Sequence, residues 1–187
     1  MTHNHPSFPT PETPARPIPE SYWVIENRLL AGEYPSSPYQ PEISRLRLQA
    51  FLRTGFNTFF DLTAPGEIEV YLPALNEAAA ALGREISYRR FAIGDYGLPS
   101  REQMRATLNA LDEALAAGRK IYLHCQGGIG RTGTTVGCYL AQHGLSGEAA
   151  LTELARRWQK VPKSAQHPHS PETLEQENFV RNWQPGL

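Results

Sequence analysis

The feature that most constrains this chain is Lys120–Gly133, KIYLHCQGGIGRTG, where an apolar strand-like run passes through a glycine-rich loop into a helix opening at Arg131 or Thr132. A buried strand feeding a helix in this way belongs to an α/β layer. The junction is also a ready anion site. Glycines let consecutive amides turn inward, and the positive end of the helix dipole adds to them.

The rest of the chain alternates in the same sense. Tyr22–Ile25 and Arg28–Ala31 form a hairpin around Glu26 and Asn27. Ile43, Leu46 and Ala50 recur at helical spacing up to Thr54, and Gly55 ends that helix. Asn57–Leu62 reads as a buried strand, and Ile68, Leu72, Leu75, Ala79 and Leu82 mark a helix closed by Gly83. Ile86–Ile93 is the next strand. Ser100 and Gln103 form a capping box for a helix that runs to Gly118. After the strand Lys120–His124, three helices are predicted: Thr132–His143, Gly147–Lys160 and Pro171–Trp183, the last with Ser170 as N-cap and Pro171 at its first position. The expected architecture is α/β, a central and mostly parallel sheet flanked by helices on both faces. The 187 residues fit one domain, 21–187, preceded by a proline-rich, flexible tail over 1–20. His3 and His5 on that tail are read as incidental, and no metal or other cofactor is expected.

Two chemistries compete for the loop. Gly128, Gly130 and Gly133 satisfy GxGxxG, a dinucleotide-binding pattern, but that unit needs a second strand ending in an acidic residue about twenty residues on. Ser146–Lys160 stays helical instead, with Leu151, Leu154 and Trp158 on one face. A nucleotide-triphosphate loop lacks its lysine. The other chemistry is nucleophilic attack on a phosphate monoester. Cys125 and Arg131 stand in a Cys-x5-Arg spacing that curls the chain into a cradle, so the amides of Gln126, Gly127, Gly128, Ile129, Gly130 and Arg131 surround a dianion above the sulfur. Those amides and the dipole favour the thiolate. The planar Arg131 fork can grip two phosphate oxygens.

The leaving oxygen needs a proton, so an acid is required nearby. The chain has only three aspartates. Asp112 sits within an amphipathic helix, and Asp61 closes a strand where a local turn or cap accounts for it. Asp95, in FAIGDYGLPS between Gly94 and Gly97, is the candidate acid, although an aspartate between glycines is also a good turn former.

HCQGGIGRTG with IGDYGLPS upstream resembles the signature pair of the cysteine-dependent protein tyrosine phosphatases, most closely the small dual-specificity group, over Tyr22–Trp183. The resemblance implies a cysteinyl-phosphate on Cys125, formed and hydrolysed with Asp95 as acid and then base. It implies further that Thr132 offers its hydroxyl to the departing thiolate and that His124 orders the loop by hydrogen bonding. In HSPETLEQENFV, Glu172 or Gln176 could position the hydrolytic water, while Glu172 equally suits the first turn of a helix. Cys138 is expected to pack; a disulfide with Cys125 is the alternative.

Composition bounds the partners. A formal charge of −1 supplies no field for a nucleic-acid backbone, no apolar run reaches membrane-span length, and two cysteines without a secretory leader suggest free thiols in the cytoplasm. The expected partner is a phosphorylated protein or peptide, met by a monomer. The short chain has no counterpart of the phosphotyrosine-clamping segment of the larger enzymes, which implies a shallow pocket open to phosphoserine and phosphothreonine as well. The uncharged loop residues argue against phosphoinositides, and a catalytically inactive phosphate-binding adaptor is the reading from another class. Arg156, Arg157, Lys160 and Lys163 form a basic cluster that either guides a substrate or is a solvated face.

Overall fold

The computed structural model describes residues 14–186. Five strands form one sheet in the order β1-β2-β5-β3-β4, comprising β1 (Ser21–Ile25), β2 (Leu29–Gly32), β3 (Thr58–Asp61), β4 (Ser87–Arg90) and β5 (Ile121–His124). Only the β1–β2 hairpin is antiparallel; β2–β5, β5–β3 and β3–β4 pair in parallel. The mostly parallel sheet is as expected. Alternation in the strands feeds two cores. On one face Leu123 and Phe60 meet α3 (Arg101–Ala116), α4 (Gly130–Gln142), α5 (Gly147–Trp158) and α6 (Leu174–Arg181). On the other face Tyr122 and Phe59 meet α1 (Pro41–Arg53) and α2 (Leu72–Ala81). The parallel register brings Gly32, His124, Asp61 and Arg90 to one rung at the carboxyl edge. Loops leaving that edge build the site, as is general for open α/β sheets.

The differences from expectation have local causes. In α1 the buried face is Ser44, Leu48, Phe51 and Leu52, whereas Ile43 and Leu46 are exposed. Two faces of this helix carry apolar residues, and the bulkier Leu–Phe–Leu set wins the core. The second helix starts at Leu72 instead of Ile68, because Pro73 lacks an amide donor and fits only the first turn. Residues 62–71 instead form a loop. β4 is shorter than Ile86–Ile93; past Arg90 the chain still follows β3, with Phe91 N donating to Asp61 O and Ile93 N to Leu62 O. The last helix begins at Leu174, not Pro171. Its N-cap is Thr173, in a capping box with Gln176, while the Ser170 hydroxyl donates to Ile129 O. The capping boxes of α3 and α6 both place a glutamine three residues after the cap, and only the first was read from sequence.

Residues 14–20, placed in a flexible tail by the sequence, are packed against the domain. Ile18 is buried, Trp23 Nε1 donates to Pro14 O at 2.9 Å, and Arg16 donates to Ser21 O. Arg157, from the end of α5, donates to Trp23 O and Val24 O and so takes up two backbone acceptors of β1. The expectations for residues 1–13, His3 and His5 included, lie outside the described residues.

The two faces of α1 can be told apart by urea unfolding. Leu48→Ala should cost about 2–5 kcal/mol, and Ile43→Ala or Leu46→Ala no more than about 0.5 kcal/mol. Equal losses at Leu48 and Leu46 would contradict the observed facing.

Candidate active site

Cys125 follows β5 directly and is buried; the loop after it runs into α4 at Gly130. The loop's shape is held from outside through its carbonyls. Cys125 O accepts from His124 Nδ1 (3.2 Å), Gln126 O from Tyr34 N (2.9 Å), Gly127 O from Lys163 Nζ (3.1 Å) and Ile129 O from Ser170 Oγ (2.8 Å). In a trans peptide the next residue's N–H points opposite to the carbonyl. Tying these four oxygens outward therefore turns the amides of Gln126, Gly127, Gly128 and Gly130 inward. Gly128 N already donates to Cys125 Sγ at 3.3 Å. Gly128 has φ +75°, and a Cβ there would overlap the Gly32–Glu33 backbone, so only glycine serves.

His124 is fully buried between two partners. A carbonyl only accepts, so Nδ1 carries the proton toward Cys125 O, and Nε2 accepts from Tyr71 OH at 2.8 Å. Burial pushes the His124 pKa below its usual 6.5, outweighing the pull of Asp61, and keeps the ring neutral. Asp61, on the same rung, is fully buried too. Its Oδ1 accepts from Thr63 N and Oγ1, the local turn expected from sequence, and its Oδ2 accepts from Tyr88 OH (2.6 Å) and Arg90 (3.1 Å). Burial opposes its ionisation, but the hydrogen bonds from Thr63 and Tyr88 outweigh that and hold the carboxyl below the ordinary range. Asp112 meets His143 at the surface.

Arg131 lies on the first turn of α4 and is 3% exposed. Its Nη1 donates to Glu67 Oε2 (2.6 Å) and Ile93 O (3.1 Å); its Nη2 donates to Glu67 Oε1 (2.6 Å) and Asp95 Oδ1 (2.9 Å). Four of the five N–H groups of the guanidinium are thus engaged, leaving Nε–H. Burial alone would lower the Arg131 pKa, but Glu67 and Cys125 raise it. Asp95 is half exposed, on the turn in which Gly97 N donates to Gly94 O. Thr132 Oγ1 is buried without a hydrogen-bond partner among the described residues.

The two candidates on the 170s segment separate. Gln176 is fully buried and committed: Oε1 accepts from Glu172 N and Thr173 N, and Nε2 donates to Gly97 O, each at 3.3 Å. It joins the cap of α6 to the Asp95 loop. Glu172 precedes the N-cap, so it is not in the first turn of α6; its carboxylate instead sits against Gly130, where a Cβ would overlap Oε1. Burial and then the charge of Asp95 raise its pKa, against Arg131, His167 and the Gly130 amide. Cys138 is a buried free thiol in the α4 core, its pKa pushed well up by burial, as a packing residue requires.

Sequence reading missed Glu67, Tyr71 and the role of Lys163. The Pro65–Gly66 dipeptide is the signal that a turn, not a helix, precedes Glu67. Lys163 does not belong to a solvated face: Nζ also pairs with Glu33 at 2.7 Å. Among the described residues there is no group of three or more His, Cys, Asp or Glu able to hold a metal ion, and no helix is long and apolar enough to cross a membrane.

A β2-β5-β3-β4 parallel core with a Cys-x5-Arg loop leaving its central strand defines a small dual-specificity-like cysteine phosphatase. The chain belongs to the PTP-SAK family, described as the Swiss Army Knife protein, DSP-PTPase phosphatase domain, which matches residues 21–180. It is 32% identical over 128 residues to protein tyrosine phosphatase domain-containing protein 1 of Mus musculus, a match that spans 64% of this chain and 16% of the mouse protein. Among solved structures, Tk-PTP in the active form superposes with a TM-score of 0.65 at 23% identity, over 88% of this chain and 96% of that one. PTPMT1 in complex with PI(5)P gives 0.63 at 16% identity, over 88% and 94%.

The buried neutral His124 makes stability depend on pH. Below 6.5 the unfolded chain protonates this histidine while the folded chain does not, so stability falls as pH falls, by up to about 1.4 kcal/mol per pH unit from this group. Urea unfolding between pH 7.5 and 5.0 should show a slope in the wild type that His124→Asn reduces; equal slopes would contradict a buried neutral ring.

Proposed function

We propose that the chain hydrolyses phosphate monoesters on proteins or peptides, phosphotyrosine foremost, by a metal-independent two-step mechanism. The observation that carries this reading is Asp95 resting on the same arginine that closes the Cys125 loop, 2.9 Å from Arg131 Nη2. A phosphate entering the inward amides takes the remaining Nε–H and the Nη2–H that Asp95 holds, so binding displaces Asp95 from Arg131. The displaced, half-exposed carboxyl is then released toward the leaving group. In the first step Cys125 Sγ attacks phosphorus, the P–O bond to the leaving group breaks, and protonated Asp95 gives its proton to the departing oxygen. In the second, ionised Asp95 takes a proton from water as it attacks the cysteinyl-phosphate, and the thiolate leaves. The orphaned Thr132 hydroxyl supports its role as a donor to that thiolate. Glu172, against Gly130 and close enough to Asp95 to feel its charge, is the better placed of the two candidates for holding the water, since both polar ends of Gln176 are occupied. His124 orders the loop through Cys125 O.

The surroundings favour a monophosphate. Gln126, Gly127, Gly128 and Ile129 bring no charge, the Lys163 ammonium is tied to Glu33 and Gly127, and Asp95 and Glu172 flank the cradle. A polyphosphorylated ring would meet carboxylates where it needs cations. The second reading, a phosphoinositide substrate, draws on the lipid-bound PTPMT1 neighbour. Phosphotyrosine peptide should be turned over with higher kcat/KM than a phosphoinositide headgroup, and the reverse order would select that reading.

With an aryl phosphate and chelator present, the wild type should remain active and Cys125→Ser should be inactive. Asp95→Asn should lower kcat about 10²–10⁴-fold for poor leaving groups and less for good ones. The same variant should bind orthophosphate roughly tenfold more tightly, because the competing internal anion is gone. Full activity of Cys125→Ser, or loss of wild-type activity on chelation, would overturn the mechanism.

A further inference from the structure

A cavity of about 600 Å³ lies along the open edge of β1, between the Pro14–Arg16 strap and the end of α5. No residue of the cysteine loop lines it. Its walls carry four cations, Arg16, Arg156, Arg157 and Lys160, against one carboxylate, Glu26, and include Trp23. Three come from the end of α5 and the residues just past it, Arg16 comes from the strap, and the structure accounts for only part of their hydrogen-bonding capacity.

Arg157 is fixed by its backbone acceptors, with Nη1 on Trp23 O and Val24 O and Nε on Glu153, while its Nη2 has no acceptor among the described residues. Arg156 gives Nε and Nη2 to the same Glu153 and keeps Nη1. One carboxylate thus serves two arginines. Arg16 gives Nη1 to Ser21 O, and neither it nor Lys160 forms an ion pair with a described residue. The strap itself is pinned by Trp23 Nε1 on Pro14 O. The site is therefore held open and cationic before any ligand arrives, with guanidinium N–H groups left over on opposite walls.

We propose that this cavity is a second anion site, separate from the cysteine loop, which binds a small ligand carrying more than one phosphate. A volume of this size falls in the range of small-molecule sites, about 300–1,000 Å³. Guanidinium forks match phosphate oxygens bidentately. Cations spaced along two walls suit linked phosphates better than a single one. Concentrated positive charge in a chain of formal charge −1 also selects the ligand with most negative charge per atom, which disfavours a carboxylate peptide. The inference goes beyond the phosphatase reading and does not depend on it.

The probe is inorganic tripolyphosphate, titrated calorimetrically into the full chain in metal-free buffer, with and without saturating orthovanadate in the cysteine loop. The expected result is a binding event that persists with vanadate and weakens from 50 to 200 mM salt. In Arg16→Ala/Lys160→Ala it should weaken about tenfold or more, with aryl phosphate turnover unchanged. Lys160→Glu, a change at an exposed side chain, should weaken binding in the same direction and serves if the double variant does not fold. Absence of binding, equal affinity in the variants, loss of all binding with vanadate, or equal affinity for hexaglutamate would each overturn the proposal. Loss of aryl phosphate turnover in the wild type would instead bear on the mechanism alone.

Discussion

The guanidinium of Arg131 has five N–H groups in one plane, and two of them form a buried fork with Glu67. The remaining geometry of the site follows from that pair. The fork fixes the plane of the guanidinium, the third and fourth donors go to Ile93 O and Asp95, and Nε has no acceptor among the described residues. A buried charge pair of this kind is not chiefly a source of stability, because desolvation offsets much of its attraction, but losing one partner leaves a stranded charge. Here the pair gives one orientation to a side chain that otherwise has many rotamers. It also ties together three segments that the sheet brings to one edge, the 62–71 loop, the Asp95 turn and the start of α4.

The loop beside it is organised by the same logic applied to backbone. Four carbonyls between Cys125 and Ile129 are held outward by a histidine, an amide, an ammonium and a hydroxyl. Each donor comes from a different part of the chain. The inward amides are therefore a tertiary product, even though the glycines that permit them are local. Tyr71 supports the histidine, Glu33 supports the lysine, and Ser170 sits immediately before the segment that carries Glu172 and Gln176. Donors held in place before any ligand arrives are the preorganisation that a site stabilising developing charge requires.

Particular residues show why some of this was legible beforehand. Cys125 and Arg131 are six residues apart on one strand–loop–helix unit, so their relation is set by local geometry and could be read from spacing. Asp95 could be reached because a chain with three aspartates leaves few choices. Glu67 could not, since it is one of many glutamates and its sequence neighbours looked helical until Pro65–Gly66 and Pro73 are given their weight. The α1 helix was legible as a helix but not in its facing, because its period is local while the choice of face depends on what α2 and the sheet offer. The start of α6 was misplaced for a related reason: Ser170 is a good cap by type, but Ile129 O takes its hydroxyl.

The sequence by itself determined the α/β order of elements, the position of the strand–loop–helix junction and the residue types able to bind and attack a phosphate, because these rest on periodicities and contacts within a few residues. Only the tertiary structure decided which carboxylate holds Arg131, that both ends of Gln176 are committed while Glu172 sits against Gly130, and that Pro14 is pinned by the indole of Trp23. All but the last depend on distances between segments that are tens of residues apart in sequence, and short-range chemistry carries no record of such distances until the sheet brings the segments to one edge.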